Sequence, residues 1–310
     1  MKSLKLVTIL FSKITLGLIL VFSLFSLPTT STIINAQPPA SSIWTVEFSL
    51  QEGASKTIED YRFLSDFNKG GYNNQVWFTD ENTLLFSAAK GTNTNIYKAD
   101  LAVGSLRQIT DTEESEFSPQ LVKNGAYYNW VRLEKDGTQR LWQAPADHSN
   151  NGFPLTSIDL LVGYYQWIED DVVALFVLRE NHNELVLLDL KNEREKFLAR
   201  NPGRSLQLGN DGLLYYTVQR SQNNFILYSY DHSTGNSQMI VRLPAGSTGD
   251  ISLGPDGYLL TFSGEYLLGF RPGTDSSWRN LIRLRGMENQ KLSRLSYNGN
   301  GVLAFVAEEN

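Results

Sequence analysis

The sequence predicts an all-β protein, a six-bladed β-propeller of four-stranded blades whose ring is closed by the N-terminal strands. Three observations predict it. Short turns recur about every 45 residues, an alternating apolar segment follows each turn, and an N-terminal segment supplies a strand that the C-terminus lacks. Four strands in a unit of that length are the pattern of a propeller blade.

Six short polar turns each precede an apolar run of β-forming residues. Asn-Gly and Asp-Gly are frequent in these turns, because such residues adopt the positive φ angles of tight hairpins. The turns end at residues 82, 125, 171, 212, 257 and 301, so their spacings are 43, 46, 41, 45 and 44 residues. We therefore expect each turn to join the first and second strands of one blade.

A second recurring segment predicts the third strand of five blades. Its second and fourth positions are always apolar, as expected for a strand with one packed face. The segments are residues 96–100, 141–145, 185–189, 227–231 and 267–271. Most are followed by a turn and a short fourth strand, of which residues 106–110 are an example.

The sixth blade is incomplete at the C-terminus, since the chain ends soon after its sixth turn. Residues 43–47 match the third-strand pattern, and residues 55–58 are expected to form the fourth strand of that blade. The N-terminal strands then complete the last blade and remove exposed sheet edges from the ring. We expect residues 37–310 to form one propeller domain, with no residues left for a second.

Residues 1–36 are predicted to be a signal peptide. They contain three lysines and no acidic residue, and residues 14–27 form an uncharged, mostly apolar run of 14 residues before Pro28. A membrane-spanning helix needs about 20 apolar residues, so a signal cleaved after Ala36 is favoured over an uncleaved anchor. We expect a periplasmic or secreted protein that is not inserted in the membrane after cleavage.

The composition excludes several classes of protein. A chain that is 41% hydrophobic and 12% aromatic is expected to fold. Without residues 1–36 it has 24 basic and 33 acidic residues, a net charge of −9, which excludes nucleic acid as a partner. It has no cysteine, which excludes disulfides, thiolate metal sites and cysteine nucleophiles.

Short motifs are spread over most of the expected domain. They lie at residues 71–75, 96–119, 136–142, 162–167 and 203–207. Together with the turns, they resemble the WD40-like (PD40) repeats of TolB-type six-bladed propellers, and more closely those of exported, single-domain TolB-like proteins of bacteria. The resemblance implies the propeller fold and export, and little about activity. TolB itself has an α/β domain before its propeller, whereas the first strand is expected here at Ile43, so a Tol–Pal role is not implied.

The loops expected at one mouth of the central channel carry aromatic and charged side chains. In a propeller, the loops between consecutive blades and those between second and third strands lie on this same face. The predicted partner-binding residues are Tyr72, Asn74, Gln75, Glu114, Glu116, Arg132, Tyr164, Tyr165 and Arg204. The same loops also contain Ser115, Arg140, Arg179, Ser205, Arg220, Asp250, Lys291 and Arg294.

Tyrosine and arginine are favoured anchors of protein interfaces. The mouth therefore predicts an exported, non-enzymatic binding or scaffold module that recognises a protein or peptide of the cell envelope. The structural alternative is that these side chains seal the channel and bond the blades to one another.

An enzyme is the competing class. No catalytic residue, metal site or cofactor is predicted, because His148, His182 and His232 lie on loops of three different blades and no Gly-x-Ser-x-Gly motif is present. The alternative is a hydrolase or lactonase-like enzyme with a central calcium ion. Its oxygen ligands would come from Asn74, Glu116 and Asp250, because hard cations prefer oxygen donors.

Overall fold

The computed structural model describes residues 39–50 and 56–309, which form six sheets. The predicted signal peptide lies outside the described residues and stays a prediction. Within the described ranges, no helix has the length and apolar character that crossing a membrane would require.

Three strands precede the first complete blade, namely β1 (Ser42–Glu47), β2 (Lys56–Ile58) and β3 (Arg62–Phe63). Blade 1 contains β4 (Tyr72–Phe78), β5 (Thr83–Ala89), β6 (Thr94–Asp100) and β7 (Ser105–Gln108). Blade 2 contains β8 (Ser115–Val122), β9 (Tyr127–Leu133), β10 (Gln139–Pro145) and β11 (Phe153–Pro154). Blade 3 contains β12 (Val162–Glu169), β13 (Val172–Leu178), β14 (Asn183–Asp189) and β15 (Arg194–Arg200).

Blade 4 contains β16 (Pro202–Leu208), β17 (Leu213–Ser221), β18 (Asn224–Asp231) and β19 (Asn236–Arg242). Blade 5 contains β20 (Ser252–Leu253), β21 (Leu259–Ser263), β22 (Tyr266–Phe270) and β23 (Arg279–Leu284). Blade 6 begins with β24 (Gln290–Tyr297) and β25 (Val302–Glu309). Two short 3-10 helices, Asp66–Asn68 and Pro255–Gly257, lie in connections.

The six-bladed, four-stranded architecture predicted from the turn spacing is confirmed. Each predicted turn joins the first and second strands of a blade, and each recurring alternating segment is a third strand. The second strands are almost continuously apolar because both of their faces are buried between neighbouring blades. In β5, for example, Leu84 and Phe86 pack in the cluster shared with blade 6, whereas Leu85 packs in the cluster shared with blade 2.

The hydrophobic core is divided among the seams between neighbouring blades. Each of six clusters of buried residues in the described ranges joins two neighbouring blades, and the cluster between blades 6 and 1 completes the circle. A blade is therefore stabilised by its two neighbours, and the ring must be closed for every cluster to be complete.

The N-terminal strand closes the ring as predicted. In blade 6, β1 lies between β25 and β3 and pairs antiparallel with β25 over six residues, including Ile43 with Val306 and Val46 with Leu303. The side chain of Ile43 is fully buried in the cluster with blade 1, and that of Val46 is buried in the cluster with blade 5. One N-terminal strand thus contributes to two seams.

The expectation that residues 55–58 form the fourth strand of blade 6 is wrong. Strand β2 instead adds to the outer edge of blade 5, parallel to β23, and β3 is the fourth strand of blade 6. The parallel pairing is stabilised by burial of Ile58 between the two blades and by the Tyr61 hydroxyl, which lies 2.6 Å from the Ile58 carbonyl and 2.9 Å from the Arg285 carbonyl. The N-terminal segment therefore ties blade 5 to blade 6.

Irregular backbone interrupts three first strands. The pairing registers of β4, β8 and β24 shift at bulges that contain Gln75, Ser118 and Arg294. These residues have φ angles of 59°, 54° and 50°, in the left-handed region that non-glycine residues seldom adopt. Such bulges change the direction of a side chain relative to a regular strand.

The closure predicts a large effect for Ile43→Ala. Removing a fully buried isoleucine side chain is expected to lower the free energy of unfolding by about 2–5 kcal/mol, because a cavity remains at the seam between blades 6 and 1. Urea denaturation of the mature chain measures the change. The control is Lys56→Ala on the exposed face of β2, which is expected to change stability by less than about 0.5 kcal/mol. Equal effects of the two variants would contradict the closure.

Candidate functional site

Residues from four blades meet in the central channel. They lie near the beginnings of the first strands, close to the mouth at which the loops between consecutive blades converge. Tyr164 comes from blade 3, Arg204 from blade 4, Asp250 from the loop that enters blade 5, and Arg294 from blade 6. We refer to these four residues as the channel cluster.

The central interaction of the channel cluster is an ion pair between Arg204 and Asp250. The Arg204 guanidinium donates two hydrogen bonds to the carboxylate, from Nε at 3.0 Å and from an Nη atom at 2.8 Å. Asp250 is only 2% exposed, and it also accepts hydrogen bonds from the Thr248 hydroxyl at 2.9 Å and the Arg294 amide at 3.2 Å. The buried charge is therefore well compensated.

The same contacts control the ionisation of the pair. Burial alone would raise the pKa of Asp250, but the charges of Arg204 and Arg294 hold that pKa well below its usual range. Burial would lower the pKa of Arg204, but the carboxylate of Asp250 raises it instead. Both groups are charged at neutral pH, and the pair links blade 4 to blade 5.

Arg294 and Tyr164 extend from opposite blades and contact each other in the channel. Blades 3 and 6 face each other across a six-bladed ring, yet an Nη atom of Arg294 donates to the Tyr164 hydroxyl at 2.7 Å. The guanidinium also lies 4.6 Å from the centre of the Tyr164 ring, a cation–π contact. Beside them, burial raises the pKa of the Tyr72 hydroxyl, so this group remains a neutral phenol. The side chains of Arg294 and Tyr164 thus connect blades 6 and 3 across the channel.

A second polar cluster lies in blade 2. Glu116 is fully buried and accepts hydrogen bonds from the hydroxyls of Thr110 at 3.1 Å and Thr112 at 2.6 Å, and its carboxylate lies 3.2 Å from Arg132 Nε. Arg132 also lies 3.4 Å from Glu114 and stacks 3.9 Å above the ring of Trp142. Burial raises the pKa of Glu116, an effect that the threonines and Arg132 oppose. These contacts hold the loop between blades 1 and 2 against blade 2.

The structure separates the predicted partner-binding residues into two groups by exposure. Six of them are buried, namely Tyr72, Asn74, Gln75, Glu116, Arg132 and Tyr165. Glu114, Tyr164 and Arg204 are partly exposed. Partner binding by any of these residues stays a prediction, but only the second group presents side-chain surface to a partner.

Two of the buried residues have defined roles within the ring. The Gln75 side-chain carbonyl accepts the Ser118 amide at 2.9 Å, which connects the first strands of blades 1 and 2. Tyr165 packs in the hydrophobic cluster between blades 2 and 3, where burial raises the pKa of its hydroxyl far above the usual value. Neighbouring Tyr164 lies in the channel, because consecutive residues of a strand point to opposite sides.

Accessible residues that the sequence did not single out also lie at the mouth. Ile158 and Leu161, in the connection from blade 2 to blade 3, are 63% and 36% exposed. Between blades 3 and 4, a polar cleft of about 250 Å³ is lined by Asn183, Gln219, Arg220 and neighbouring residues. Large apolar residues in a predicted loop were the sequence signal for Ile158 and Leu161. Of the residues named here for the cleft, the sequence analysis had placed Arg220 at the mouth, and it did not indicate the cleft itself.

The three proposed calcium ligands are held apart by other partners. Both oxygens of Asp250 are bonded to Arg204, Glu116 belongs to the blade 2 cluster, and the side-chain carbonyl of Asn74 accepts the Gln75 amide at 2.8 Å. In the described part of the chain, no three histidine, aspartate or glutamate side chains are grouped so as to hold a metal ion. A calcium ion at the centre would have to displace an arginine from Asp250.

Comparison with solved structures places the fold. A protein of Agrobacterium tumefaciens provisionally designated TolB has a TM-score of 0.62 and 14% sequence identity, and the match covers 87% of this chain and 99% of that one. TolB of Acinetobacter baumannii has a TM-score of 0.54 and 14% identity over 87% of this chain and 64% of that one. A puromycin-hydrolyzing peptidase of Mycobacterium tuberculosis has a TM-score of 0.54 and 12% identity over 78% of this chain and 46% of that one.

The chain is therefore a TolB-like six-bladed β-propeller in fold. No protein-family profile matches its sequence, and no curated protein matches it. At identities of 14% or less, the structural likeness defines the fold alone. The same fold occurs in the two TolB structures and in part of the peptidase.

The buried ion pair predicts that Asp250→Ala is strongly destabilising. The substitution leaves the Arg204 charge without its partner in a poorly hydrated site, which typically costs about 3–5 kcal/mol. Urea denaturation at neutral pH measures the loss. The control is Glu113→Ala, which removes an ion pair with Lys135 whose side chains are both highly exposed. The control is expected to change stability little, because solvent screens an exposed ion pair, and a comparable loss in both variants would contradict the role of Asp250.

The lowered pKa of Asp250 predicts a pH dependence of stability. Its folded-state pKa lies below its ordinary value of 3.8, so its contribution is present above pH 3.8 and is lost as the pH falls toward the folded-state value. The unfolding free energy of the wild type should therefore fall more steeply than that of Asp250→Asn as the pH is lowered below 3.8. Parallel pH profiles of the two proteins would rule out this contribution.

Proposed function

We propose that the chain is an exported, non-enzymatic binding module that recognises a protein or peptide partner at the channel-mouth face. The observation that carries the proposal is the combination of accessible side chains on this face. Exposed Ile158 and Leu161 lie on the same face as partly exposed Tyr164 and exposed Arg220. Apolar, tyrosine and arginine side chains together are the composition typical of anchors in protein interfaces.

Hydrogen bonds among the polar groups of the channel cluster hold this face in a fixed arrangement. Arg204, Asp250 and Arg294 connect blades 4, 5 and 6, and the hydrogen bond between Arg294 and Tyr164 adds a connection to blade 3. A surface that is already ordered loses less conformational freedom on binding, which favours affinity. In this proposal Arg204, Asp250 and Arg294 position the surface, and Tyr164 with the exposed residues around the channel makes the contacts.

The cleft between blades 3 and 4 suits a peptide segment. Its wall carries the side-chain amides of Asn183 and Gln219 and the guanidinium of Arg220. Amide groups can donate and accept hydrogen bonds at once, as a peptide backbone requires. A segment held in the cleft would be close to the rest of the mouth face.

The enzymatic alternative, a hydrolase or lactonase-like protein with a central calcium ion, has weaker support. Asp250 is the acidic group in the channel cluster, and two arginines neutralise it. Calcium titration of the purified mature chain discriminates the two classes. Stoichiometric binding that is lost in Asp250→Asn would favour the enzyme, and no binding would favour the recognition module.

Export is the second part of the proposal, and it rests on the sequence pattern of residues 1–36. Their basic start, apolar run and small residue before the expected cleavage site have the pattern of a signal peptide. The TolB-like fold is consistent with this location. N-terminal sequencing of protein recovered from the cell envelope is expected to begin at Gln37.

The mouth face predicts that Ile158→Ser and Arg220→Ala weaken capture of a partner recovered from envelope extracts. Truncating a true interface anchor costs at least about 2 kcal/mol, or roughly a thirtyfold loss of affinity. Surface plasmon resonance with the immobilised mature chain measures the change. Because both side chains are exposed, thermal unfolding should be nearly unaltered.

A matched control lies on the outer wall of the propeller. Met239 in β19 is 60% exposed, close to the 63% of Ile158, but it lies away from the mouth. Met239→Ser should leave capture unchanged. If Met239→Ser abolishes capture and both mouth variants retain it, the outer wall rather than the mouth face is the binding surface.

A further inference from the structure

A cleft of about 320 Å³ lies between the outer parts of blades 1 and 2, at the side opposite the mouth. One wall is formed by the third and fourth strands of blade 1, which contribute Lys98 and Arg107. The other wall is formed by blade 2, which contributes Tyr128 from its second strand and His148 from the loop after its third strand. This cleft is separate from the mouth and the channel cluster.

The first wall carries two cations, Lys98 and Arg107, and one carboxylate, that of Asp100. Lys98 and Arg107 are directly paired residues of β6 and β7, so their side chains lie on the same face of the sheet. Within residues 39–50 and 56–309, neither makes a side-chain hydrogen bond or an ion pair. Other arginines, such as Arg140 and Arg204, have carboxylate partners at less than 3 Å. Two cations against the single carboxylate of Asp100 leave the lining with a net positive charge, which favours an anion.

The second wall adds two groups able to donate hydrogen bonds. Tyr128 is buried, and its ring centre lies 5.8 Å from that of His148. The backbone of His148 is held at a φ angle of 59°, a conformation that costs energy in a non-glycine residue. His148 is exposed and sits at the entrance of the cleft.

The carboxylate that lines the cleft is already engaged. Asp100 accepts the amides of Ala102 and Val103 at 3.0 and 3.1 Å through the same oxygen atom, which forms the turn between β6 and β7. These bonds orient the carboxylate, and its negative charge offsets one of the two cations. The cleft is therefore lined by Lys98, Arg107, Tyr128 and His148, together with one carboxylate, that of Asp100.

We propose that this cleft binds a phosphate group, either free phosphate or the phosphate of a small ester. A phosphate presents several acceptor oxygens in a tetrahedral arrangement, which suits donors that approach from two walls. Arginine and lysine are the side chains that most often bind this group. The volume is at the lower end of the range of small-molecule sites, so the ligand is a phosphate with at most a small substituent.

The test is isothermal titration of the mature chain with inorganic phosphate and, separately, with glycerol phosphate at constant ionic strength. Saturable binding of either ligand with a stoichiometry of one supports the proposal. Tighter binding of glycerol phosphate would assign the site to a phosphate ester, and equal affinities would assign it to free phosphate. No saturable binding of either ligand would overturn the proposal.

Arg107→Gln should weaken binding about tenfold or more, because it removes a charge-assisted hydrogen bond. The matched control is Arg194→Gln, an exposed arginine of the fourth strand in blade 3 that lies outside the cleft. Equal losses in both variants would indicate general charge attraction and overturn the site. Lys98→Gln provides a second variant, should Arg107→Gln fold poorly.

Discussion

The pairing of β1 with β25 is the interaction on which the rest of the structure depends. Every blade buries its second strand between two neighbours, so an open ring would leave clusters incomplete on both sides of the gap. Strand β1 supplies Ile43 to one of these seams and Val46 to the other, although it is distant in sequence from its partner strand. The convergence of the first strands on a common channel follows from this closure.

The channel cluster depends directly on the closed ring. Arg294 of blade 6 can reach Tyr164 of blade 3 only when all six blades surround the same axis. Burying the charges of Arg204 and Asp250 would be costly in isolation, but two hydrogen bonds between them and the bonds from Thr248 and Arg294 offset the loss of hydration. Charged residues at the mouth thus join blades, and in the proposed function the accessible surface around them makes the contacts with a partner.

Much of the fold could be predicted because its signals are local and repeated. A turn followed by an apolar strand recurs with nearly constant spacing, and alternation within the third strands follows from one packed face. Residues 55–58 were placed wrongly because β2 is only three residues long and pairs in parallel with a strand of another blade. A strand of three residues is too short to show a periodic pattern. Its position depends on contacts that Ile58 and Tyr61 make with residues far away in the sequence.

The number of blades, the closure of the ring and the collection of aromatic and charged residues near one mouth could be predicted from the order of amino acids alone. The accessibility of these residues could not, because it depends on how the blades pack. Tyr164 and Tyr165 are neighbours with the same side chain, yet one lies in the channel and the other in the core between blades. Which tyrosine faces the channel depends on the register of β12, which shifts at a bulge beside Tyr164. The bulge lies at Gly163, where a Cβ atom would come within 3.0 Å of the Phe176 ring in the paired strand. The glycine is a local signal for a bulge, but the direction in which each tyrosine then points depends on the pairing of β12 with β13.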